Sequence, residues 1–277
     1  MMMYVIGMSH AVSVLKAASV APLALDHANW ATEFNAGQFF DVPAKPELVR
    51  AGQLKAFIVS HAINWGSVAE MRTREDGSKQ VVAVEGFVKL LESLEPVQEQ
   101  GVLFSFMHGN EHSMLSLVQH AMPYDFRLPW LPEFALLPGV QPIPFEIIHR
   151  QMAKALAHVI GCVAMMRSKL PGMRIVHVMA PPPIETEAQI KETPEVFREK
   201  LMQSGVTPLS IRLKYYWLAA RMLTESLRSL GAELLTCPPE AVAPSGAIKE
   251  GYAFGATHGN EAYGEIVLRQ MQSLLAD

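Results

Sequence analysis

Tyr4-Val5-Ile6-Gly7-Met8-Ser9-His10-Ala11-Val12-Ser13-Val14-Leu15 is the stretch whose reading decides the fold. Tyr4 to Gly7 is a short apolar strand, and from Ala11 to Val20 the apolar residues fall at helical spacing. Gly7-Met8-Ser9-His10 turns the chain from one to the other. Short apolar runs alternate with long amphipathic segments down the rest of the chain, as in a parallel sheet covered by helices. Further strands are expected at Lys55–Ser60, Val102–Met107, Met173–Ala180 and Ala232–Thr236. Helices are expected at Val84–Glu95, Phe145–Lys169, Leu209–Leu230 and from about Asn260 to Leu275. Residues 21–50 read as an irregular connection, and Thr73–Lys79 as a charged turn around Asp76-Gly77. The expected class is α/β, a doubly wound, flavodoxin-like, five-stranded parallel sheet with helices on both faces.

The 277 residues suffice for a large core, and no linker demands a second domain, so 1–277 reads as one domain. Six prolines stand among Phe126, Trp130, Phe134 and several leucines between residues 121 and 145. Proline breaks helices, so this is an apolar loop insertion that packs on something: a lid or pocket wall, a homodimer contact, or a flap on the core. A net charge of −4 gives no reason to expect nucleic acid. No apolar run approaches the roughly 20 residues of a membrane span, and the start lacks the basic region of a signal peptide. Cys162 and Cys237 make no disulfide framework and read as buried thiols, which suits a cytoplasmic protein.

In open parallel sheets, sites gather beyond the carboxyl ends of the strands. Three loops there hold unusual polar residues. Ser9 stands before a helix, where amides and the helix dipole stabilise negative charge; as an N-cap it would have no chemistry. Asn110, in His108-Gly109-Asn110-Glu111-His112, can aim an amide at an oxyanion or cap the next helix. The same stretch matches the zinc pattern H-x-x-E-H, but a strand runs up to it and Gly109 interrupts it, so no metal is expected. His258, in Thr257-His258-Gly259-Asn260, precedes the last helix, from where a base could reach the first loop. Together the loops supply a nucleophile, a base and an oxyanion donor, which is what acyl transfer needs. No G-x-G-x-x-G or phosphate loop is present, so no nucleotide cofactor is expected. The other histidines and the methionines read as packing residues.

These residues, in this order, resemble the SGNH (GDSL-like) hydrolases. Gly7-Met8-Ser9-His10 looks like the first block, Gly109-Asn110 like the oxyanion block, and His258 with Tyr263-Gly264 like the last. The resemblance implies a serine esterase acting on a small-molecule or carbohydrate ester, with O-acetyl or another short acyl group as the family-level expectation. It makes Ser9 the nucleophile and His258 the base. The oxyanion donors would be Ser9, Gly66 (with Gly86 as the rival placement) and Asn110. The sequence departs from the family at two points besides. Met8 stands where many members carry Asp or Asn, and Gly255 stands where an aspartate orients the histidine. That leaves a Ser–His dyad, or a carboxylate from elsewhere such as Glu250. The alternatives are a degenerate relative that binds an acylated or sugar ligand, and an acyltransferase.

Overall fold

The computed structural model describes residues 1–21, 23, 39–50, 52–58, 69–83 and 85–275. Its centre is a six-stranded sheet. In chain order the strands are β1 (Met2–Gly7), β2 (Phe40–Asp41), β3 (Leu54–Ile58), β4 (Gly101–Phe106), β5 (Arg174–Val178) and β6 (Glu233–Leu235). They lie in the order β6-β5-β4-β1-β3-β2, and every neighbouring pair is parallel except β3 with β2. β1 and β4 occupy the middle and are buried along almost their whole length. Their continuous apolar runs are those of strands covered on both faces.

The expected count of five strands is corrected to six. The sixth is a two-residue antiparallel edge, Phe40 beside Ala56 and Asp41 beside Lys55, inside the stretch expected to be irregular. So short a strand has no alternation to read, and tertiary contacts hold it. Phe39 packs on the rings of Tyr4 and Phe57, and Asp41 pairs with Lys55 at 3.3 Å. The five parallel strands alone keep the 2-1-3-4-5 order of a flavodoxin-like sheet. The charged turn is flanked by an antiparallel pair, Ala69–Thr73 with Lys79–Ala83, that the sequence reading did not contain.

The helices are α1 (Ala11–Ala18), α2 (Glu85–Glu92), α3 (Glu111–Ser116), α4 (Phe145–Lys169), α5 (Glu187–Glu192), α6 (Arg198–Ser204), α7 (Leu209–Ser229) and α8 (Glu261–Ser273). α1 packs on α8, while α3, α4 and α7 pack on one another with α2 against α4. The right-handed crossovers usual between parallel strands would put these two groups on opposite faces of the sheet. The chain leaving β1 turns one way along the sheet and the chain leaving β4 turns the other, which opens a crevice at their carboxyl ends. The proline-rich segment lies on α7. Asp125 and Lys214 form a fully buried ion pair at 2.8 Å, the Tyr124 and Tyr215 hydroxyls hydrogen-bond at 2.7 Å, and Arg221 lies 4.3 Å over the Trp130 ring.

Candidate active site

Ser9 and His258 sit where two packed helices begin. Ser9 follows β1 and immediately precedes the first turn of α1, where His10 holds the cap position. Its hydroxyl is not spent on capping: Oγ lies 2.8 Å from Nε2 of His258. His258 belongs to a short antiparallel pair with Ala253–Phe254, just ahead of α8, whose first turn is capped when Asn260 Oδ1 accepts the Tyr263 amide at 3.0 Å. α8 reaches α1 through Gly264, where an added Cβ would stand 2.1 Å from the Ser13 carbonyl oxygen. That close approach brings together two side chains 249 residues apart. The His10 ring stacks on the His258 ring, centroids 4.5 Å apart.

The carboxylate beside His258 is Glu195, a residue the sequence reading did not single out. Its Oε1 lies 2.6 Å from His258 Nδ1, and its Oε2 accepts the Thr257 hydroxyl at 2.9 Å and the Ala256 amide at 3.2 Å. Burial pushes this carboxyl up, but the hydrogen bond and charge of His258, then the Thr257 and Ala256 bonds, hold it below its ordinary value. Glu195 follows Pro194 in a short 3-10 turn, at a φ of +53° that few side chains adopt. Gly255, the position of the missing aspartate, explains the arrangement. An added Cβ there would lie 2.7 Å from Glu195 Oε1, so the absent side chain leaves the space into which the glutamate reaches. Glu250, the expected candidate for this role, is exposed and is not the carboxylate on His258.

Asn110 holds the N-cap position of α3 but makes no capping bond through its side chain. Instead Nδ2 donates to Thr257 Oγ1 at 3.2 Å, and Oδ1 is buried with no partner among the described residues. Met8, the other departure from the family pattern, places Sδ 3.4 Å from the His108 amide, which donates to it. His108 itself has a φ of +61°. Glu111 Oε2 accepts the Gly109 amide at 2.9 Å. Burial pushes Glu111 up to about 7 and, together with His158, pushes His108 down to about 4. Although 3.8 Å apart, these two stand as a largely neutral contact near pH 6. His112 is buried edge-on against the Tyr216 ring, and His108 lies outside the helix, so the two histidines of H-x-x-E-H do not share a helical face. Among the described residues no group of three His, Cys, Asp or Glu side chains is placed to hold a metal. Gly66 lies outside the described residues, and Gly86 lies in the first turn of α2.

Ser9, His258, Glu195 and Asn110 open onto one cavity of about 900 Å³. Its apolar wall comes from Met114, Leu115, Val196, Phe197 and Phe254. Residues 121–145 contribute nothing to that lining; several of them border a separate cavity of about 680 Å³ beside the start of α4.

Fold and site together define an α/β protein with a serine–histidine–glutamate array at the carboxyl edge of a parallel sheet. No protein-family model matches the sequence, and no curated protein does. Among solved structures, the chain is similar to the periplasmic domain of a Salmonella Paratyphi A lipopolysaccharide acetyltransferase, with a TM-score of 0.49 and 8% identity over 99% of this chain and 83% of that one. It is also similar to a Bacteroides fragilis protein proposed to be an acylhydrolase, with a TM-score of 0.45 and 7% identity over 99% of this chain and 86% of the other.

Proposed function

We propose that this protein is a serine esterase that hydrolyses a carboxylic ester through an acyl-enzyme on Ser9. The observation that carries the reading is the unbroken line from Ser9 Oγ to His258 Nε2 at 2.8 Å and from His258 Nδ1 to Glu195 Oε1 at 2.6 Å. A carboxylate on Nδ1 fixes the tautomer that leaves Nε2 free to accept the serine proton, and it stabilises the imidazolium that results. Ser9 Oγ then attacks the ester carbonyl carbon. The Ser9 amide and Asn110 Nδ2 stabilise the oxyanion, and Gly66 is the third donor suggested by the sequence. His258 returns the proton to the departing alcohol. It next takes a proton from water, whose attack releases the acid and restores the serine.

The non-catalytic alternative drew its support from Gly255 and Met8. Glu195 supplies a carboxylate where Gly255 lacks one, so that departure no longer favours the alternative. Cys162 and Cys237 are buried free thiols, in keeping with a cytoplasmic setting. A fluorophosphonate probe reports an activated serine without knowledge of the substrate. Labelling of the wild type that disappears in Ser9→Ala and His258→Ala is the expected result. A folded wild-type protein that stays unlabelled would overturn the proposal.

A further inference from the structure

We infer that the ester taken by this site carries an extended apolar chain of around eight carbons, in place of the short acyl group that the family resemblance implies. The inference rests on the serine esterase reading and deepens it. Cavities of several hundred Å³ up to about 1,000 Å³ are the size that encloses a drug-sized ligand. At about 900 Å³ this one lies near the top of that range, and an acetyl group would fill a small corner of it.

The mouth of the cavity points the same way. Large apolar side chains left in water around a pocket mark a surface that a ligand covers. Met114 is 60% exposed, Val196 86% and Phe254 40%, and all three border this cavity. They come from separate parts of the fold: α3, the turn that carries Glu195, and the strand that precedes Gly255. No single amphipathic stripe accounts for their meeting at one opening. At the serine end of the lining, Ser9, His258 and Glu195 engage one another. Glu195 is held by His258, Thr257 and Ala256, so its carboxylate is not an open partner for the hydroxyls of a sugar ring. A chain of methylenes needs no such partners and gains from every apolar contact.

The apolar chain can belong to the acyl side or the alcohol side, and two substrate series separate them. One compares p-nitrophenyl acetate, butyrate and octanoate; the other compares ethyl and octyl acetate, all below their micellar concentrations. We expect kcat/KM to rise about tenfold or more from the two-carbon to the eight-carbon member in one series, the gain of roughly two well-buried methylenes. The series that rises identifies the side. Flat or falling profiles in both overturn the inference. Met114→Glu should cut the octanoate-to-acetate ratio, or its alkyl counterpart, by about fivefold. Phe254→Ser gives the same reading should the first variant fail to fold, and an unchanged ratio in the folded variant counts against the inference. Fluorophosphonate labelling of the same preparations keeps the two readings apart. Labelled protein with no chain-length preference defeats only the inference, whereas unlabelled wild-type protein defeats the esterase reading and the inference with it.

Discussion

Glu195 and Gly255 form a matched pair: one residue lacks a side chain so that the other, 60 positions earlier, can reach the same histidine. If Glu195 orients His258, Glu195→Gln keeps the volume but offers the wrong partner to Nδ1. We expect kcat to fall by about 10²- to 10⁴-fold with KM little changed, in line with the loss seen when a triad carboxylate becomes an amide. Steady-state kinetics on the best ester reads it, and a drop of less than threefold would rule out an orienting role. The pair also predicts a rescue. In a Glu195→Ala background the space beside Gly255 is open, and aspartate tolerates its φ of +59° better than most residues. Gly255→Asp should therefore recover at least about tenfold in kcat in that background and lower activity in the wild type, where its Cβ would meet Glu195. Ser9, Asn110 and His258 could be singled out from the sequence because each stands in its own polar loop beside a strand or helix end. Glu195 was not, because Thr193-Pro194-Glu195-Val196 looks like any exposed turn and its role depends on a contact 63 residues along the chain. The clue the sequence offered was the glycine at 255.

Among the elements, the contact that assembles the site is the crossing of α1 and α8. Gly264 makes it possible, since a Cβ there would sit 2.1 Å from Ser13 O and 2.2 Å from Ser13 C, backbone atoms that cannot swing aside. Gly264→Ala should push the helices apart, cost roughly 1–3 kcal/mol as other overpacked sites do, and cut fluorophosphonate labelling at least tenfold by separating Ser9 from His258. Thermal melts and labelling rates measure the two effects, and unchanged labelling would show that the helix contact does not set the Ser9–His258 distance. The buried Asp125–Lys214 pair does a different job, fastening the proline-rich segment to α7, with Lys214 also donating to the Ala135 carbonyl at 2.9 Å. Lys214→Met strands a buried carboxylate and should destabilise the protein by about 3–5 kcal/mol in urea unfolding. The segment lines none of the Ser9 cavity, so surviving folded molecules should retain fluorophosphonate labelling. α4 and α7 were legible to within a residue because over 20 residues of helical periodicity average out local exceptions. β2, α3, α5 and α6 are two to seven residues long, and tertiary packing decides what such pieces become.

Over the whole molecule, burial has left several titratable groups whose preferences pull stability in opposite directions with pH. His108, His112 and His177 are pushed from 6.5 to about 4, mainly by burial. The unfolded chain binds more protons at these sites, so each contributes stability that is complete about a unit above pH 6.5 and is lost as pH falls toward 4. Glu111 runs the other way. Its carboxyl is raised from 4.5 to about 7 by burial, so the folded state holds the extra proton and stability drains away as pH rises from 4.5 to 7. Glu195, held below its ordinary value, adds stability above about pH 4.5 that disappears on stronger acidification. Three histidines outweigh one glutamate below pH 6.5, so the protein should lose stability on acidification there. The histidines finish contributing about a unit above pH 6.5, and Glu111 stops subtracting about a unit above pH 7. Replacing that one group isolates its share. Glu111→Gln keeps an acceptor for the Gly109 amide and removes the titration. Relative to wild type it should gain up to about 3 kcal/mol at pH 8, shrinking toward nothing near pH 4.5, from a shift of 2.5 units at 1.36 kcal/mol each. Urea unfolding at pH 5, 6.5 and 8 measures the difference. A gain that stayed constant across the three pH values would mean that Glu111 does not titrate differently in the folded and unfolded chains, and the neutral contact between Glu111 and His108 would have to be abandoned.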